Sequence, residues 1–119
     1  MGFLTRDAIL KVADASYEDV PVPEWNGTVR IKALSAAERD QYEALVFLDS
    51  KGEPVKRRED IRAKLVIFSA VNEDGSRLFT EADIAVLSAK SAKAMNRLWA
   101  AASRLSGLGA DDVKELEKN

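Results

Sequence analysis

The sequence predicts a small α+β domain, mainly α-helical, with one N-terminal β-hairpin, and three patterns predict it. Stretches 58–71 and 88–105 space apolar residues by three and four: Ile61, Leu65, Phe68 and Val71, then Ala92, Met95, Trp99 and Ala102, the latter widened by Leu98 and Leu105. That spacing lines one face of a helix. Over 17–34 the period falls to two. Val20 and Val22 precede Asn26-Gly27, and Val29, Ile31 and Ala33 follow it, as in a half-buried hairpin. Finally, Ser35-Ala36-Ala37-Glu38 is a capping box: the hydroxyl takes one free helical N–H and the carboxylate reaches back to another.

In chain order, Thr5 is placed to cap a short helix over 6–15, with Leu4, Ala8, Ile9 and Val12 as its apolar patch. A helix so short must dock or fray. In the hairpin, a two-residue loop would set Val22 opposite Ile31 and Val20 opposite Ala33. That register puts Pro21 and Pro23 where the ladder needs an N–H, so a longer loop or a loosely paired first strand is expected. The capping box starts a helix to about residue 48, burying Tyr42, Leu45 and Val46. Residues 49–59 are polar, with Gly52 and Pro54 as breakers and Lys56-Arg57-Arg58 as a basic cluster, and read as a mobile loop. Helix 58–71 ends in an Asn72-Glu73-Asp74-Gly75 turn. Thr80 and Asp83 begin a short helix to 87, and Ser88 is the expected cap of the last long helix. Gly107 stops that helix, with Leu108 as its closing apolar contact. Residues 111–118 form one more amphipathic turn or two, anchored by Val113 and Leu116.

A chain of 119 residues is expected to form one domain: 1–16 helix and lead-in, 17–34 hairpin, 35–119 helical part with a mobile loop near 49–58. Apolar residues make 46 % and charged residues 32 %, a globular balance. The 18 basic and 20 acidic residues leave a formal charge of −2, no global field for nucleic acid or anionic lipid. With no cysteine and no histidine, there is no disulfide framework, no thiolate site and none of the commonest general base. No apolar run is long enough for a membrane-spanning helix, and residues 1–12 lack a signal-peptide pattern. A soluble, cytoplasmic, non-enzymatic protein without metal or cofactor is the expectation.

Two constellations invite a functional reading. Lys90, Lys93, Arg97 and Arg104 are spaced by three, four and seven, which would place a basic stripe on one side of the last helix. It reads either as a docking face for acidic groups or as an ordinary solvated side. Trp25 falls at the hairpin tip, either folded back or offered to a partner, whereas Trp99 lies on the apolar stripe and belongs in the core. Asn72, Asp74, Gly75 and Glu81 match part of a calcium loop, but its first position is Ala70, so the segment reads as a plain turn. The carboxylate pairs Glu38/Asp40, Glu59/Asp60 and Asp111/Asp112 sit at helix starts or turns, where acids are favoured by the helix dipole alone. The expected partner surface is Trp25 with Leu108, Val113 and Leu116, steered by Lys90, Lys93, Arg97 and Arg104.

Four stretches in order carry a resemblance: Val22-Pro23-Glu24-Trp25-Asn26-Gly27-Thr28-Val29-Arg30; Leu34-Ser35-Ala36-Ala37-Glu38-Arg39-Asp40; Val71-Asn72-Glu73-Asp74-Gly75-Ser76-Arg77-Leu78-Phe79-Thr80; and Leu105-Ser106-Gly107-Leu108 with its acidic tail. Together they resemble the tail assembly chaperones of long-tailed bacteriophages, over roughly residues 6–119. The resemblance implies a protein of the host bacterial cytoplasm, absent from the finished virion. It would coat the tape measure protein, keep it soluble, recruit tail tube subunits and self-associate into a homo-oligomer. It also implies a longer form made by ribosomal frameshifting. Glu117-Lys118-Asn119 can be encoded as a run of A followed by C, on which ribosomes slip, and the present chain would then be the short form. The family supplies no binding-site motif to transfer. The alternatives are another phage morphogenesis part, such as a head–tail completion or connector component, and a small nucleic-acid-binding regulator.

Overall fold

The computed structural model describes residues 2–108, so the turn expected over 111–118 lies outside the described residues. The chain runs α1 (Arg6–Lys11), β1 (Tyr17–Val22), a 3-10 turn (Pro23–Trp25), β2 (Gly27–Lys32), α2 (Ala36–Phe47), α3 (Ile61–Ser69), β3 (Ala70–Val71), a 3-10 turn (Glu81–Asp83), α4 (Ile84–Ser88) and α5 (Ala92–Leu105). The mainly helical α+β architecture is the one the sequence predicts.

The hairpin forms in a register shifted by four from the two-residue-loop pairing. Val20 faces Val29 and Val22 faces Gly27, and the connection is the longer one, a 3-10 turn closed by Asn26 in the left-handed region (φ 53). A shift by an even number keeps every side chain on its face. Val20, Val22 and Ile31 therefore still point into the core. The prolines explain the shift. Ser16 accepts a bond from the Ala33 N–H at 2.9 Å, so by alternation along an antiparallel pair Pro21 turns its missing donor to the outer edge. β1 is an edge strand of the sheet β1-β2-β3. Pro23 starts the 3-10 turn, where no N–H is needed.

The third strand corrects the expected helix over 58–71. Helix α3 starts only at Ile61 and stops at Ser69; Ala70 and Val71 instead pair with Ile31 and Arg30 of β2. The Asp-Gly turn causes this. Gly75 takes φ 89, and the chain doubles back, with the Asn72 N–H on the Ser76 carbonyl (2.8 Å) and the Leu78 N–H on the Ala70 carbonyl (3.1 Å). A β-branched valine suits that sheet position. Asp74 Oδ1 accepts from the Ser76 N–H and hydroxyl at 2.9 and 2.6 Å, so the segment closes on itself as a turn.

Helix α3 is the centre of the molecule. Leu65, Val66, Ile67, Phe68 and Ser69 are all buried, which means the helix is covered all round rather than along one stripe. Helices α2, α4 and α5 pack against it. Ser69, the polar member, satisfies its hydroxyl on the Leu65 carbonyl at 3.0 Å. The capping box of α2 is complete: the Glu38 N–H donates to Ser35 Oγ (3.2 Å) and the Ser35 N–H to Glu38 Oε1 (2.9 Å). Tyr42 and Val46 are buried by it and Leu45 is half-buried. Segment 49–58 carries a closed turn in its first half, where Asp49 Oδ1 accepts from the N–H groups of Lys51 and Glu53.

Helix α5 is capped by Ser91, whose Oγ accepts from the Ala94 N–H at 3.2 Å. Ser88, the expected cap, is instead the last residue of α4. A cap needs an extended backbone outside the helix to aim its side chain at the free N–H groups; Ser91 has it (ψ 127). At its other end α5 closes as predicted. Gly107 sits at φ 70, the Leu108 N–H reaches the Ser103 carbonyl (2.9 Å) and the Gly107 N–H the Arg104 carbonyl (3.3 Å), the paired bonds of a Schellman ending. Ser106 Oγ then accepts from the Leu34 N–H at 3.0 Å, tying the helix end to the hairpin's exit.

Candidate interaction surface

The hairpin tip is held by charge. Glu24, inside the Pro23–Trp25 turn, accepts two hydrogen bonds from Arg97 of α5, at 2.9 and 3.0 Å. Those bonds hold its carboxyl below the ordinary value of 4.5 and raise the Arg97 guanidinium in return. Two turns further along α5, Arg104 pairs with Glu18 of β1. The expected basic stripe is thus partly an internal fastening. Arg97 and Arg104 clamp the edge strand and its turn to α5 and do not form a free docking face. Lys93 is exposed near Glu24 and adds to its negative shift. Lys90 is not on α5 at all; it lies in the link after α4, because the helix begins at Ala92.

With the tip fixed, Trp25 is half-buried and packs against the core. Its ring lines one side of an open groove of about 270 Å³ with Phe79, Val86 and Leu87, and Asp83 and Lys90 sit at the groove's polar edge. Val86 is 59 % exposed there. The 3-10 turn before α4 is positioned by Asp83, whose carboxylate accepts from the Thr80 N–H at 2.8 Å, and this fixes Phe79 beside Trp25. The chemistry offered is an apolar trough with one acid and one base on its rim, suited to an amphipathic segment rather than to a small charged metabolite.

The other expected contact residues fall differently. Leu108 is buried at 8 % exposure, because the Schellman ending folds it onto the core; it offers no surface. Val113 and Leu116 lie outside the described residues. Trp99 is buried as predicted, with the Arg62 guanidinium 5.6 Å above its ring. Sequence reading missed Phe79 and Val86. Val86 carried a signal, since in a five-residue helix both it and Leu87 cannot face the same core. Exposed apolar side chains also gather at the N-terminus: Phe3, Leu4, Ile9, Leu10 and Val12. Among the described residues no group of three or more acidic, histidine or cysteine side chains is placed to hold a metal ion, and no helix is long and apolar enough to cross a membrane.

A family model described as phage tail assembly chaperone matches residues 5–119. The chain belongs to that family. No curated protein matches it in sequence. By structure this tail assembly chaperone is similar to the tail assembly chaperone of bacteriophage HK97, with a TM-score of 0.56 at 20 % identity, over 76 % of this chain and 85 % of that one. At that identity the likeness speaks for the fold. The family is one of chaperones, not of enzymes.

Proposed function

We propose that this tail assembly chaperone binds the tape measure protein encoded by the same phage and keeps it soluble until the tail tube closes round it. On this reading it acts in the host bacterial cytoplasm as a homo-oligomer and is absent from the virion. Tube subunits are recruited through a longer frameshifted form. The observation that carries the reading is the apolar groove of Trp25, Phe79 and Val86 on a chain of this family. A long helical client exposes an apolar stripe that aggregates when uncovered, and such a stripe docks by laying its anchors into a groove of this kind. Lys90 at the rim and the exposed Lys93 contribute steering rather than affinity.

The test is co-expression with the tape measure protein, scored by client solubility and co-purification. A soluble client that elutes with the wild-type chain, and less of it with Val86→Asp, is the expected result. A client that precipitates beside a folded chaperone, with the short and the extended form alike, overturns the proposal. Recovery of the chain from purified virions would favour a structural head–tail component instead.

A further inference from the structure

Helix α4 has a cleft on each flank. The groove beside the hairpin tip takes its helix wall from Val86 and Leu87. A second cleft, of about 430 Å³, lies between the start of α3 and α5 and takes Ser88 from the same helix. Val86 and Ser88 are two residues apart, which is about 200° round an α-helix, so the two clefts open on opposite sides of α4. Lys90 lines both of them. They meet where the chain leaves α4.

The second cleft has an apolar floor, made by buried Met95 and half-buried Ile61. Its rim is polar. Arg62 and Asn96 stand there, fastened to each other by a hydrogen bond from Arg62 Nε to Asn96 Oδ1 at 2.5 Å. Between the clefts the saddle is low, since residues 88–92 are all exposed and only Lys90 among them carries a long side chain. The Lys90 ammonium has neither a hydrogen bond nor an ion pair among the described residues. Each cleft also has one acid in its wall, Asp83 in the first and Asp60 in the second. A carboxylate on a partner is therefore welcome over the saddle and unwelcome at either end.

These dimensions set what fits. A helix with its side chains is about 10 Å across, so two anchors seated on either flank of α4 stand about 10 Å apart on the partner. Seven residues of an α-helix rise about 10.5 Å, and positions i and i+7 share one face. Position i+3 or i+4 lies on that face halfway between them and passes over Lys90.

We infer that the client contact of this chaperone runs through both clefts and takes an amphipathic helix with large apolar residues at i and i+7 and an Asp or Glu at i+3 or i+4. The apolar residues supply the affinity. Lys90 steers and selects, because a lysine at the middle position would face it as a like charge. This names the kind of segment bound and rests on the proposed function for the helical client.

The experiment uses overlapping peptides of about 18 residues, or five helical turns, that together cover the tape measure protein encoded by the same phage. Binding is followed by fluorescence anisotropy and by NMR of the chain carrying methyl-labelled methionine. The sequence has two methionines, Met1 and Met95, so the Met95 methyl reports on the floor of the second cleft. Peptides that bind are expected to carry the pattern and to shift the Met95 signal. Alanine at i+7 should weaken binding about tenfold and leave Met95 unmoved. Lys90→Glu, at an exposed position and with circular dichroism unchanged, should reverse the preference between Glu and Lys at the middle position by about tenfold. Peptides that bind, lose affinity with Val86→Asp and yet leave Met95 unmoved would overturn the inference while the proposed function stands, as would wild-type preference in Lys90→Glu. A Met95 signal that moves with the chaperone's own concentration, without peptide, assigns the cleft to contacts between copies and overturns it too. Failure of every peptide and of the full-length client to bind overturns both.

Discussion

Replacing Tyr42 by phenylalanine should stabilise the protein. The Tyr42 side chain is 0 % exposed in α2, and among the described residues its hydroxyl has no hydrogen-bond partner. A buried hydroxyl without a partner costs about 1–3 kcal/mol in lost solvation. Tyr42→Phe removes that cost and keeps the ring that fills the core between α2 and α3. The single missing atom leaves a void of roughly 10 Å³, worth only ~0.2 kcal/mol at the usual cost of cavities. The net gain is about 1–2 kcal/mol. For a chain of 119 residues, an unfolding entropy of about 2.1 cal/mol/K per residue converts each kcal/mol into ~4 °C, so Tm should rise by roughly 4–8 °C. Alkali adds a second reading of the same group. Burial raises the phenol's pKa above its ordinary 10, so the folded state keeps the proton while the unfolded state loses it. Wild-type stability is therefore intact below pH 10 and declines above it, by up to about 1.4 kcal/mol per pH unit from this group. The phenylalanine variant lacks this component, and its advantage should widen above pH 10. Scanning calorimetry of both proteins at pH 7 and pH 10.5 checks both points. An unchanged or lower Tm for the variant at pH 7 would show that the hydroxyl is satisfied and that the reasoning fails.

Leu98→Ala, at a fully buried position of α5, should cost about 2–5 kcal/mol, seen as a lower urea midpoint at unchanged slope. Gly107→Ala should cost about 1–2 kcal/mol, since the space is open but the left-handed backbone is not; thermal denaturation measures it. For Glu38, burial pushes the carboxyl up, but the Lys32 ammonium at 2.8 Å and the Ser35 N–H outweigh it and hold the pKa below 4.5. Its contribution is present above pH 4.5 and lost as pH falls through the lower folded value. Lys32→Met should therefore flatten the stability profile on the acid side, which urea titrations between pH 3 and pH 6 would show.

Local signals were read correctly where the physics is local. The capping box at Ser35 and Glu38, the Asp-Gly turn, the glycine ending of α5 and the two-residue period of the hairpin each involve groups within a few residues. The errors share one cause. Ser88 and Ser91 are equally able caps in isolation, and only the placement of α4 against α3 decides which has the extended backbone. Residues 70–71 continue a helical apolar stripe perfectly well until β2 offers them a ladder. Arg97 and Arg104 look like an exposed stripe because Glu24 and Glu18, 73 and 86 residues away, cannot be seen from the helix itself.

The sequence alone therefore determined the fold class, the hairpin's inner face, both ends of α2, the C-terminal end of α5 and the family resemblance. Side-chain period, turn chemistry and ordered motifs do not depend on distant partners. The tertiary structure decided the rest. It converted half of the basic stripe into a clamp, buried Leu108, and made a groove from Trp25, Phe79 and Val86, which are contributed by the hairpin tip and the approach to α4. It also left α1 without a surface of its own. Each is a contact between segments far apart in the chain, whose energy appears only when the whole core has closed.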